Sequence, residues 1–237
     1  MLLCPVEEIA IPDSVENVVL ARLDILEKNV RHVLQCASVI GMEFRYRVLN
    51  HINEIRDNLE RHLSSLEDGE YVIRETDLPE RVYVFRNLVL RDVTYSTMLE
   101  KKKRHFHKKV GEILEELKGD RAGEDAELIA HHYELGAVYD KAVEYCEMAA
   151  KKCESLYSQR AAADFWQKVV EYVEKTSFEP TSIQQIRLRA NLAFGEICRR
   201  LGRPECGIKA FTSAIKDSGD LDDAKSRVCA LRGLGEA

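Results

Sequence analysis

From about residue 125 onward, small and aromatic side chains recur at the spacings of packed helix pairs, the pattern of stacked helical hairpins. Ala130, Tyr133, Ala142 and Ala149 form one set, and Gly195, Gly202, Phe211 and Ala214 form a second, with Gly207 where alanine is usual. Small residues at such points let paired helices approach closely. Ala161, Ala162 and Ala163 with Trp166 and Val169 give a looser, overlapping unit, so the period is irregular. Six helices are predicted, near 125–136, 139–156, 159–175, 183–201, 204–217 and 221–236. The last runs out without a polar cap, which predicts an array that continues beyond it.

The first half has a different grain. Pro12, Asp13 and Ser14 signal a helix start, and Val15, Val19, Leu23 and Leu26 follow as one apolar stripe, with Glu16, Arg22 and Glu27 off it. A second helix reads from Asn29 to Ile40, carrying Val30, Val33, Leu34, Ala37 and Ile40 on one face and ending at Gly41 as a C-cap. A short helix is predicted over Tyr46 to His51. A longer one is predicted over Glu54 to Glu67, turning Ile55, Leu59, Leu63 and Leu66 inward. Glu70 to Glu75 and Arg81 to Arg86 then alternate as strands do, with Thr76 to Glu80 as a hairpin loop. Helix resumes at Leu88 and reaches Lys118, with a break near Lys101. Gly119 to Gly123 mark the domain boundary. The fold class that follows is mainly α: a winged-helix-like module with one β-hairpin over residues 1–120, then a tetratricopeptide-repeat-like (TPR-like) α-solenoid of helical hairpins over 121–237, truncated at its C-terminus.

Composition narrows the function. With 5 prolines and 12 glycines the chain is too poor in turn formers for a loop-rich β protein. Its apolar runs are broken by charge well short of the ~20 residues that span a bilayer, and the acidic start is no signal peptide; no membrane association and a cytoplasmic location are expected. The 7 cysteines (Cys4, Cys36, Cys146, Cys153, Cys198, Cys206, Cys229) are odd in number and show no CxxC pair, which fits reduced thiols. A net charge of −6 offers no general attraction to nucleic acid or anionic membranes.

No constellation for catalysis stands out. There is no GxxxxGK[ST] loop to cradle a triphosphate, so no cofactor is expected in this chain. His105, His107, His131 and His132 lack the short ligand pairs of a zinc site, and neighbouring His131 and His132 point about 100° apart on a helix. No cysteine has a recognisable base beside it. The chain is therefore read as no enzyme. A winged helix invites a DNA-binding regulator with a helical sensor domain as the alternative. Its recognition helix, 53–68, carries Glu54, Asp57, Glu60, Glu67 and Asp68 against Arg56 and Arg61, and phosphates repel such a face. The wing adds Arg74 and Arg81, but also Glu75, Asp77 and Glu80. A basic run, Lys101, Lys102, Lys103 and Arg104 with Lys108 and Lys109, reads as a contact for an acidic partner surface, as a contact for nucleotide phosphates held outside these residues, or as the solvated face of a helix. It has no aromatic stacking platform.

Three stretches together carry a resemblance. They are Ile11 to Leu26 followed by Val30 to Phe44; Tyr83 to Tyr95, with Phe85, Arg86, Arg91, Asp92, Val93 and Tyr95 as its core, followed by Arg104 to His107; and Ala130 to Gly136 with Lys141 to Tyr145. This pattern resembles the region downstream of the nucleotide-binding core in STAND-type predicted signalling ATPases with TPR-like tails, of the kind often joined to class III adenylate/guanylate cyclase domains. The family commonly places histidine after the Phe-Arg pair, where this chain has Asn87. The ATPase core itself has no counterpart in these residues. The resemblance implies a non-catalytic regulatory segment: a winged-helix module beside an upstream nucleotide-binding core in cis, which would hold the ATP, and a helical tail that binds a protein partner. It also makes Arg86, Arg91 and Asp92 candidates for inter-domain coupling, with packing inside the module as the other reading.

Overall fold

The computed structural model describes residues 13–54 and 58–236. Two compact units divide between Ile113 and Leu114. That division falls inside the helix Glu100–Lys118, upstream of the glycine-rich stretch, which forms a 3-10 turn over Gly119–Asp125 leading into the repeats. Among the described residues no helix is long and apolar enough to cross a membrane.

The first unit runs α1 (Asp13–Ile25), α2 (Lys28–Ile40), β1 (Glu43–Arg45), α3 (Tyr46–Ile52), α4 (Leu59–Asp68), β2 (Val72–Thr76), β3 (Val82–Phe85) and α5 (Leu88–Ser96), then enters α6 (Glu100–Lys118). The antiparallel sheet has the order β1-β3-β2, with Phe44 opposite Tyr83 and Val72 opposite Phe85. A strand between the first two helices of the core, two helices, and a hairpin that takes that strand on its inner edge make the module winged-helix-like. Its core is apolar side chains at helical spacing from α2 and α4 (Val33, Leu34, Leu63, Leu66) closed by Phe44, Tyr83 and Phe85 from the sheet. Phe44 stacks on Tyr83 at 5.6 Å between ring centroids.

Several expectations change here. The hairpin has a third strand, β1, which is only three residues long and follows Gly41 too closely to show a period. The helix expected from Glu54 begins instead at Leu59, because Asn58 takes a left-handed conformation (φ 51°) at its N-cap; Ile55 lies outside the described residues. The break expected near Lys101 lies at Thr97 to Leu99. Val15, expected inside, is exposed, while Val19 and Leu23 are buried. Asn87, where the resembling family places histidine, caps α5: its side-chain oxygen accepts the Leu90 amide at 2.8 Å.

Gly41 ends α2 with φ 153°, ψ −168° while its N–H donates to the Ala37 carbonyl. That region is open to glycine and strained for any residue with a Cβ. Gly41→Ala is therefore expected to destabilise the first unit by about 1–3 kcal/mol, measurable as a lower urea midpoint at unchanged m-value. An unshifted midpoint would disprove the strain argument.

The second unit contains α7 (Ala126–Leu135), α8 (Tyr139–Ser155), α9 (Gln159–Val173), α10 (Pro180–Arg200), α11 (Pro204–Asp220) and α12 (Ala224–Gly235). Each packs against the next, and α10 also meets α12, so the helices stack as TPR-like hairpins. Of the small positions read from the sequence, Ala130, Ala142, Ala149, Gly195 and Ala214 are buried, as is Gly207, whereas Gly202 is exposed in the turn between α10 and α11. Four turns share one construction. Three residues link the helices, the middle one is left-handed (Ala137 φ 55°, Tyr157 φ 57°, Gly202 φ 66°, Asp222 φ 52°), and the third donates its N–H back across the turn. Those bonds are Val138 to Tyr133, Ser158 to Cys153, Arg203 to Cys198 and Asp223 to Ser218, at 2.8–2.9 Å. This is the Schellman closure of a helix end.

Candidate functional site

In the second unit α8, α10 and α12 present neighbouring faces, and two pits open along them. The larger, about 680 Å³, lies against Leu188, Leu192 and Ala193 of α10, with Leu221 and Ser226 from the turn and start of α12. The smaller, about 380 Å³, lies between Val143 and Glu144 of α8, Ile186 of α10, and Phe178 in the connection before α10. Arg189 lines both. The apolar floors follow from the 3.6-residue repeat of α10, which turns Leu188 and Leu192 to one side.

Charge on this face is fixed by pairing. Arg189 donates from Nη2 to Glu147 Oε1 at 2.6 Å, joining α10 to α8 between the two pits. Lys141 donates to Glu115 at 2.7 Å and approaches Glu144 at 3.3 Å. Burial works against ionisation of Glu115, but donation from Lys141, Tyr133 and Tyr145 outweighs it and holds the carboxyl below its ordinary value. Burial and the Glu115 charge push the Tyr145 phenol up to about 12. Asp140 receives both the backbone N–H and the hydroxyl of Ser177, which seats the connection carrying Phe178 against α8.

The floor is braced from behind. Asp217, 1% exposed, accepts Arg187 through Nε (2.9 Å) and Nη2 (2.5 Å), and Arg187 also reaches Glu174. The Phe211 ring is seated between Gly195 of α10 and Gly233 of α12: a Cβ built on either glycine would fall 2.8 Å and 2.4 Å from it. Trp166 is buried, as expected of a packing residue, and donates to Glu154 at 2.6 Å. Sequence reasoning found Gly195 and Phe211 but missed Arg187, Arg189, Asp217 and Gly233. Asp217, three residues after the buried Ala214 on an apolar face, was the available signal.

The residues singled out from the sequence lie in the first unit and do not form one site. Arg86 is exposed at the end of β3. Arg91 pairs with its neighbour Asp92 at 2.6 Å and donates to the Ser38 carbonyl at 3.3 Å, so it ties α5 to α2. The basic run is dispersed around α6. Lys102 turns to α2, donating to Gln35 at 2.9 Å and lying 3.3 Å from His32 Nδ1. Burial, then the Lys102 charge, depresses the His32 imidazole. Lys103 pairs with Glu100 at 2.7 Å and sits over the Tyr95 ring. Lys101 and Arg104 are exposed. Lys109 and His105 hold Glu54, whose carboxyl they keep below its ordinary value. The hairpin arginines face carboxylates: Arg74 pairs with Glu67 at 2.8 Å and Arg81 with Glu60 at 2.7 Å, both on α4.

No protein-family model matches the chain, and no curated protein matches it. Among solved structures the chain is similar to a Signal Transduction ATPase with Numerous Domains (STAND) protein with a tetratricopeptide repeat sensor from Pyrococcus horikoshii, at 15% identity and a TM-score of 0.36. The match covers 94% of this chain and 46% of that one, so the chain spans a little under half the length of the structure it matches.

Proposed function

We propose that the second unit is a protein-interaction module that binds a peptide segment of a partner along the α8–α10–α12 face, and that the chain is a non-catalytic regulatory segment of a larger signalling ATPase. The observation that carries the reading is the pair of apolar pits on one face, with Arg189 and Glu147 between them. Apolar pits accept anchoring side chains, and a paired charge at the rim selects register more than it adds affinity. Supporting the larger role are the residues from Phe85 to Tyr95, through which the chain resembles the segment that follows a nucleotide-binding core. In that role the first unit lies beside an ATP-holding core in cis and passes its state to the repeats by rigid-body movement. Exposed Lys101 and Arg104 are then contacts for that core or an acidic partner. Duplex DNA is the weaker reading, because Arg74 and Arg81, the cations a wing offers to phosphates, are engaged by α4 carboxylates.

The test is a selection of random displayed 12-residue peptides on the purified 237-residue chain. Enriched peptides are expected to lose at least about tenfold in affinity, about 1.4 kcal/mol, on Leu192→Glu or Arg189→Glu, while the far-UV circular dichroism stays unchanged. Failure to enrich any peptide, or binding indifferent to both substitutions, removes the proposal.

A further inference from the structure

One side of α12 is apolar where exposure to water would favour charge. Ala230 and Gly233 face inward and are buried, and Ser226 lines the larger pit. Ala224, Val228, Leu231 and Gly235 are exposed, Val228 by 65% and Leu231 by 51%. At 3.6 residues per turn these four fall within about 60° of one another, on the opposite side of the helix from Ser226 and Gly233. They make a single stripe about 17 Å long, three turns of helix. Lys225 and Arg232 run along one edge of it and Arg227 along the other, all exposed. On α10, by contrast, Arg187, Arg189, Arg199 and Arg200 each pair with a carboxylate. Among the described residues Lys225, Arg227 and Arg232 meet no carboxylate within ion-pair distance.

We infer that this stripe is a second docking surface, distinct from the pits, and that it takes an amphipathic helix of a partner protein whose own apolar stripe is edged with glutamate or aspartate. Val228 and Leu231 supply the apolar area that docking removes from water. The unpaired cations on both edges select the sign of the partner's charge and fix its register. Small residues at the two ends of the stripe let a second helix axis come close. The space over Gly235 is open, whereas Gly195 and Gly233, on packed sides, hold the Phe211 ring; an apolar side chain of the incoming helix finds the same kind of seat at Gly235. A second copy of this chain is the poorer occupant, because a two-fold contact through α12 would set Lys225, Arg227 and Arg232 against the same three cations. A bilayer is poorer too, since helices that lie in the interface bury broad faces of Trp, Phe and Leu, and only two large apolar residues stand here. A partner segment of about 12 residues covers the stripe, and a segment that short gains most of its helicity on docking.

The experiment displays a library of helix-forming peptides of about 20 residues, with every position drawn from Ala, Leu, Gln, Glu, Lys and Arg. Selection is on the full chain and counter-selection on its Leu231→Glu variant, so that only binders needing the stripe survive. The survivors are expected to carry leucine at helical spacing with glutamate on both flanks. Their affinity, read by fluorescence anisotropy, is expected to fall at least about tenfold on Val228→Glu. A similar loss is expected for Arg227→Glu combined with Arg232→Glu, and binding is expected to weaken as NaCl rises from about 0.05 M to about 0.5 M. Leu192→Glu, in the larger pit, is expected to leave these affinities unchanged, which separates this surface from the peptide face proposed above. Circular dichroism checks the fold of each variant. Absence of stripe-dependent binders, or survivors whose flanks are basic or uncharged, overturns the inference. So does a dimer of the wild-type chain, by sedimentation, that Leu231→Glu dissolves, or binding to phosphatidylserine vesicles with the same dependence.

Discussion

Phe211→Ala is expected to cost the second unit about 3–5 kcal/mol, the usual range for emptying a buried aromatic site. The ring is 3% exposed, clusters with Leu188, Ala214 and Ala230, and is flanked by two glycines rather than by side chains that collapse into its space. The same geometry makes Gly233 sensitive to the smallest possible substitution. In Gly233→Ala the new methyl group meets the ring at 2.4 Å, and moving it aside is expected to cost about 1–3 kcal/mol. In a Phe211→Ala background the obstacle is gone, and alanine in place of a helical glycine gains up to about 1 kcal/mol. The sign of Gly233→Ala is therefore expected to reverse between the two backgrounds, which is strong coupling between the sites. Trp166, the single tryptophan and a residue of the second unit, reports the transition by fluorescence in urea. Additive effects of the two substitutions would show that ring and glycine do not compete for one space.

Arg187→Leu is expected to be of similar size for a different reason. Asp217 is buried and takes two hydrogen bonds from Arg187, and donation by Arg187 to Asp217, and then to Glu174, holds the guanidinium firmly charged against its burial. Removing the arginine leaves a carboxylate with its desolvation uncompensated, and one-sided breaks of buried pairs destabilise by about 3–5 kcal/mol. Replacing both partners, as in Arg187→Met with Asp217→Leu, removes charge and counter-charge together and is expected to restore most of that loss. High salt is expected to change the wild-type stability little through this pair, because buried pairs are weakly screened. Equal stabilities for the single and double variants, by urea denaturation, would mean that the pair contributes packing alone.

How far these features were legible in the sequence follows from what a linear pattern encodes. The helical hairpins were legible because Ala142, Ala149 and Ala214 sit where only small residues permit close packing, and that restriction shows in composition. The two-strand hairpin was legible by alternation, whereas three-residue β1 offers no period to detect. The start of α4 depends on the backbone of Asn58; asparagine is a common N-cap and tolerates the left-handed region, but one such residue inside an apolar stripe does not by itself mark a start. The basic run from Lys101 to Arg104 illustrates a different limit. Contiguity in sequence suggested one patch, but a helix turns about 100° per residue, which sends Lys102 to α2, Lys103 to Tyr95, and leaves Lys101 and Arg104 outside. Arg189 and Glu147 stand 42 residues apart and meet only because α8 and α10 are neighbours.

The four matching turns bear on how such a chain grows. Their middle positions are held by alanine, tyrosine, glycine and aspartate, residues with nothing in common, while the backbone bond that closes each turn is the same. The reversal is thus specified by main-chain geometry and tolerates drift in its side chains. A hairpin copied or deleted as a unit carries its own closure with it. The length of the helical array is then a heritable quantity counted in whole hairpins, free to change between lineages without redesign of the joints.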